Sequence, residues 1–203
     1  MTLYFLDRAP HFDMLFISYF VFVILVGRLV IHDAHRRFWI MSAFATTMLS
    51  LCGTAEVFLW IFKQQSFAPT AMSNMLIEFL KAYLITDLIY CGFWHPDQLG
   101  LLDGWVHHLV YIIVAEKLQQ NYVVNAAQPL WVMEIPAAIR AWRGLGAIRP
   151  AVADRWFGPA FVAFRIVWPA YAMTQLVTQD WVFLFLSVII SVHSWWAYKN
   201  LRF

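Results

Sequence analysis

Long apolar stretches, each near the length of a bilayer crossing, alternate with short polar clusters along the whole chain. With about 20 apolar residues needed per crossing, the pattern predicts helical segments at 11–31, 38–62, 73–94, 105–119, 122–140, 157–178 and 181–199. The fourth is short. The fifth contains Pro129 and Pro136, which can kink a helix where neighbours re-satisfy the freed carbonyls. The first segment is too long for the apolar core of a cleavable signal, and no A-x-A-like site follows it. No internal repeat, low-complexity tract or linker divides the chain, so residues 1–203 read as one integral membrane domain. The expected fold is all-α, a multipass bundle of about seven transmembrane helices.

Basic residues alternate between the ends of these segments. Arg28, Arg36, Arg37, Arg140, Arg143, Arg149, Arg155, Lys199 and Arg202 fall on one side, and Arg8, Lys63 and Lys117 on the other. This bias predicts an N-terminus outside or in a lumen and a cytosolic C-terminus. It also puts the loop 95–104 and the adjacent His107–His108 pair near the cytosolic face.

Composition sharpens the class. Hydrophobic residues are 62% of the chain and charged residues 13%, with mean hydropathy +0.64, where a soluble domain is nearer half apolar and a quarter charged. The net charge of +2 and the lack of a basic run give no reason to expect nucleic acid. Cys52 and Cys91 both fall inside predicted spans, which offers neither a disulfide framework nor a CxxC metal site.

Against this background, ionisable residues inside the spans stand out: Glu56, Glu78, Lys81, Asp87, His107, His108, Glu134, Arg165 and His193. Each fully charged group at a helix centre costs roughly 2.5–3.5 kcal/mol on an insertion scale. They persist only if they face one another or line a polar cavity. Tyr83, Asp87 and Tyr90 follow i, i+4, i+7 and share a face. Glu78 and Lys81, three apart, can neutralise each other. Tyr111 lies one turn beyond the histidines, and Asp103 one turn before His107, where it could orient the ring.

Plainer roles compete with each of these. The histidine pair could sit at headgroup level or bond across helices. Glu134 and Arg165 could form a structural interhelical pair. His11, His32, His35 and His95 fall in loops or at span ends. Ser187, Ser191 and Ser194 suit close helix packing better than nucleophilic chemistry. A di-iron site needs a set of HxxH clusters, and His32-Asp33-Ala34-His35 stands alone; only His193 could face the histidine pair for haem ligation. Intramembrane acids with proline-broken helices also suit a small-solute transporter, although no two-fold repeat is visible.

Taken in order, these residues resemble the TLC family, the membrane domain of ceramide synthases and several smaller proteins. Tyr83-Leu84-Ile85-Thr86-Asp87 is similar to its aromatic-x-x-x-Asp helix, and Trp105-Val106-His107-His108 to its helix opening with a double histidine. Met133-Glu134-Ile135-Pro136 with Arg140-Ala141-Trp142, and Gly158 through Arg165, are similar to two further motifs. The resemblance covers about 36–203. It departs from the ceramide synthases in having His193 before Trp195 and Trp196, and in offering only Glu134 on the helix after the histidines. It therefore points to the smaller members.

That resemblance implies a protein of the endoplasmic reticulum or another endomembrane, with helices around a central lipid-sized cavity. It implies membrane lipids as ligands and cytosolic acyl-CoA as a co-substrate, without a resident cofactor or metal. In an acyl-transfer reading, His107 and His108 with Asp87 are the catalytic candidates, attacking a thioester or deprotonating an amine or hydroxyl. Tyr83, Tyr111, Glu134, Arg165 and His193 are the substrate-binding candidates, with Arg165 and Lys81 suited to neutralising a phosphate or carboxylate. Two other functions remain open: a non-catalytic regulator of lipid composition or trafficking receptor, and a small-solute transporter. Association with a second copy of the chain is also open.

Overall fold

A computed structural model describes residues 9–63, 71–97, 99–120, 128–175 and 180–200. Among the described residues the structure is all-helical, with no strand. The helices are α1 (Ala9–Val30), α2 (Ala34–Lys63), α3 (Ala71–Trp94), α4 (His107–Gln120), α5 (Gln128–Val132), α6 (Ile135–Gly144), α7 (Pro150–Val162), α8 (Trp168–Gln175) and α9 (Asp180–Asn200). Two π-helical turns extend them: Leu101–Val106 runs into α4, and Ala163–Val167 joins α7 to α8.

Among the described residues two helices are long and apolar enough to cross a membrane, α1 through Asp13–Val30 and α2 through His35–Leu59. The apolar part of α9, Leu184–Tyr198, is shorter. In α3 the limit is charge: Glu78, Lys81 and Asp87 fall so close to its middle that no long stretch escapes them.

The helices are apolar on the outside as well as within. On α1, Ile17, Val21 and Leu25 repeat every four residues and are exposed, while Tyr19 and Val23 on the other face are buried. Leu109, Val110 and Ile113 of α4 and Val188, Val192 and Trp195 of α9 are likewise exposed. Glu56, Glu78, Asp87 and His108 are instead buried. A water-soluble domain distributes its residues the other way round.

The predicted fifth segment is broken. Residues 121–127 lie outside the described part, and α5 stops at Val132 before α6 starts at Ile135. Pro136, in the first turn of α6, has no N–H to continue the ladder back to Val132. Glu134 N instead donates to Trp131 O at 3.1 Å, closing a tight turn. The sixth segment is longer than predicted, starting at Pro150. Its π turn lies just ahead of Pro169, whose ring cannot accommodate an ordinary helical carbonyl four residues back, at Arg165.

Helix approach is close at two glycines. A side chain on Gly53 would overlap Trp131, and one on Gly144 would overlap the Trp39 ring. After α6 the chain reverses through Gly146, whose φ of +77° suits glycine. Gly146 N donates to Arg143 O and Ala147 N to Trp142 O, a Schellman ending.

This turn sits beside the Arg36 guanidinium, and Arg140 lies over the Trp39 ring at 5.6 Å. Phe38 meets His95 edge-on at 6.0 Å. The loops after α1, α3 and α6 therefore meet at one end, which we call the basic end. There Asp33 accepts from Arg36 N at 3.1 Å and caps α2. That backbone hydrogen bond holds the exposed Asp33 carboxyl below its usual range. Partial burial pushes His95 below the usual imidazole range, against the opposing pull of Asp97.

Candidate functional site

The site forms where α3, α4 and the π turn around Arg165 come together. Trp105 N bonds back to Gly100 O at 3.1 Å, five residues away, and this wider turn delivers His107 and His108 to the start of α4. His108 turns inward and His107 sits half-buried. His108 Nε2 lies 3.2 Å from Asp87 Oδ2, and both side chains are under 10% exposed (8% and 6%). An Nε2–H donor to the carboxylate satisfies both groups. The other Asp87 oxygen accepts from Cys91 Sγ at 3.3 Å, one helical turn along α3. Tyr83 packs edge-on against the His108 ring at 6.2 Å. Its hydroxyl also bonds Ser42 of α2.

His107 looks toward the other wall. Its ring lies 4.4 Å from Tyr111 and 5.5 Å from His108. Arg165 and His193 are close enough to act on His107 electrostatically. Arg165 and Glu134 act on Tyr111 in the same way.

The break between α5 and α6 and the π turn meet at Arg165. Met133 O has lost its helical partner, and Arg165 Nε donates to it at 3.0 Å. A second guanidinium nitrogen faces His193 Nε2 at 3.5 Å, the outer limit of a hydrogen bond. Arginine offers no acceptor, so this contact requires the His193 tautomer with its proton on Nδ1. Phe161 supplies a ring face 5.6 Å from the guanidinium carbon.

The candidates thus fall into two adjoining groups. Asp87, His108 and Tyr83 form one. His107, Tyr111, Glu134, Arg165 and His193 form the other. Two expectations need correction. Glu134 and Arg165 are not in ion contact, because Arg165 is engaged by Met133 O and His193; they interact only at longer range. Tyr90 lies on the Asp87 face as expected, and packs against Trp94 and His95 toward the basic end. Ser191 is exposed and bonds back to Ser187 O at 2.8 Å, so it does not mediate close packing. The side chain of Asp103 lies outside the described part.

Farther from the basic end, the same helices carry a second polar layer. Lys81 Nζ contacts Glu78 and Glu116, each at 3.2 Å. It also donates to Gln119 at 2.6 Å, and Gln119 donates to Glu78 at 2.6 Å. The Glu78–Lys81 pair was readable from spacing, whereas its α4 partners were not. Alongside the second layer, and reaching along α4 to Tyr111, lies an apolar slot lined by Ile77, Leu80, Tyr111, Ala115, Leu118 and Trp131, among others, with room for about one water (about 10 Å³).

Sequence reasoning missed Cys91, the Met133 carbonyl and both π turns. Signals existed for each: Cys91 is four residues after Asp87, Pro136 frees a carbonyl near Met133, and Pro169 follows Arg165 by four. Among the described residues no group of three or more His, Cys, Asp and Glu side chains is arranged to hold a metal ion. Compared with known proteins, the chain matches no family model, no curated protein and no solved structure.

Proposed function

We propose that this chain is a multipass membrane protein of lipid homeostasis, TLC-like in fold, which binds a lipid or acyl chain between its helices. The observation that carries the reading is the inverted distribution of residues. Large apolar side chains face outward on α1, α4 and α9, while the Asp87–His108 pair is enclosed and Arg165 is half-buried. Hydrocarbon outside makes the first arrangement favourable, and a polar ligand gives the second a purpose. The short helices α5 and α8 and the charged α3 would not cross a bilayer unaided. Packing against neighbours and mutual neutralisation allow such segments to cross.

In this reading acyl transfer from cytosolic acyl-CoA uses the two histidines differently. His107 is the half-exposed ring and contacts the acyl group. His108, fixed by Asp87, orients it and accepts a proton. The arginines gathered at the basic end support its placement in the cytosol, and endomembrane placement rests on the TLC resemblance. A second reading, a lipid-binding regulator without turnover, draws support from the burial of His108 at 7% exposure. The buried pair then serves to hold α3 and α4 together.

The deciding experiment is acyl-CoA turnover and lipid analysis on purified protein, wild type against His107→Ala/His108→Ala. Turnover lost with folding kept supports transfer; unchanged lipid profiles with no turnover in either protein would leave only the regulator. Orientation has its own test. A glycosylation acceptor inserted in 64–70 should be modified and one in 145–149 should not, and the reverse pattern would refute a cytosolic basic end.

A further inference from the structure

We infer that the site takes a long-chain amphiphile in a fixed direction: an anionic head group, carboxylate or phosphate, against Arg165, and one hydrocarbon tail running past Tyr111 into the slot between α3, α4 and α5. This rests on the lipid-binding reading and adds the class and orientation of the ligand.

The head-group end follows from the state of Arg165. A guanidinium is charged at every relevant pH and carries five N–H donors in a planar fork. Nε is engaged by the Met133 carbonyl, and one terminal nitrogen by a neutral imidazole. Both are uncharged partners. Among the described residues no carboxylate comes within the 4.0 Å of an ion pair to it, and Glu134 acts only from farther away. A half-buried cation in a membrane-spanning segment is costly without a counter-charge. The two neutral contacts fix the plane of the fork while leaving further N–H donors. That arrangement suits two-pronged recognition of a carboxylate or phosphate.

The tail end follows from Tyr111. One face of its ring stacks on His107 at 4.4 Å, and the same residue lines the apolar slot. Trp131 lines that slot as well, two residues before the carbonyl that holds Arg165. Cation and slot are therefore consecutive along one path. The slot holds only about one water as it stands, so a tail enters by parting α5 from α3 and α4. At its far end Leu118 precedes Gln119, which is bonded to both Glu78 and Lys81. From His107 to Leu118 the path along α4 is about 16 Å at the helical rise, long enough that a hexadecyl chain spans it and an octyl chain does not.

The test uses the full chain in lipid nanodiscs, with competition against a photoactivatable long-chain fatty acid. Hexadecyl phosphate and hexadecanoate should both compete, and the stronger identifies the head group. Hexadecanol should be at least about tenfold weaker, because a charge-assisted hydrogen bond is worth roughly 1.5–3 kcal/mol. Arg165→Gln should erase that tenfold preference, and Arg165→Lys should keep most of it. Ala115→Phe, which fills the slot, should weaken hexadecyl phosphate by tenfold or more and octyl phosphate little. If Arg165→Gln fails to fold, the wild-type ratio, Arg165→Lys and Ala115→Phe still decide. Hexadecanol competing as well as the anions would overturn this inference while leaving lipid binding intact. So would Ala115→Phe without effect on hexadecyl phosphate. Failure of every probe to compete would overturn the lipid-binding reading beneath it.

Discussion

Lys81 and His108 occupy the two polar layers on the seam between α3 and α4, and their surroundings differ in kind. Lys81 has two carboxylates and an amide within 3.2 Å. Every member of that layer meets another, so attraction offsets the cost of taking charges from water. About 9 Å away along α3, Asp87 and His108 pair, yet the surroundings are left incomplete. The hydroxyl of Thr86 is buried without a hydrogen-bond partner among the described residues, and beyond the contacts above the rings of His108 and His193 meet the backbone of Gly104 and Arg165. Among the described residues the hydrogen-bond partners of Arg165 are neutral groups. A network that closes on itself holds helices together. One that leaves donors open, beside two π turns, has the features of a place where something else binds.

The largest effect should come from breaking the closed layer. Lys81→Met strands Glu78 and the Gln119 amide, and removing one partner of a buried pair costs about 3 kcal/mol or more. Glu116, nearly half exposed, adds little. Loss of monodisperse protein in size-exclusion and thermal assays is expected. A variant as stable as wild type would show that the layer is not structural.

His107→Ala probes the open layer and should behave oppositely. The ring is half-buried and makes no hydrogen bond among the described residues, so stability stays near wild type. Turnover should fall by about 10²-fold or more if the ring is a base or nucleophile. Poor folding with residual activity in proportion to folded protein would instead make His107 a packing residue.

Arg165→Leu is expected to cost roughly 1–3 kcal/mol, the penalty for leaving the Met133 carbonyl without a donor. Adding Glu134→Gln should give no rescue, because the two are not in ion contact. Recovery of stability in the double variant would reinstate a direct pair.

The smallest effect lies outside both layers. Asp33 has a depressed folded-state pKa, so its contribution is present above the unfolded value of about 3.9 and is lost as pH falls through the folded one. Asp33→Asn should lower the melting temperature slightly at pH 7, with the difference from wild type closing at acid pH. A gap that persists at pH 2 would argue against the carboxylate as the cause.

Much of this was legible in the sequence because it depends on neighbours along the chain. Apolar runs of near-bilayer length dictated helices. Spacing by three and four dictated the Glu78–Lys81 pair and the face shared by Tyr83 and Asp87. The alternation of arginines correctly grouped the loops that meet around Gly146, Trp39 and His95. Which helix faced which was not encoded locally. Only the tertiary structure decided that Asp87 would meet His108 rather than His107, since a rotation of one residue about α4 exchanges them. Only it decided that Lys81 would collect Glu116 and Gln119, and that the carbonyl freed near Pro136 would fall to Arg165 instead of leaving Glu134 to pair with it. Each outcome is a contact between residues more than twenty positions apart or a shift of turn from α to π. Such choices are made by packing the whole set of helices at once, with the proline positions fixing where the backbone must yield.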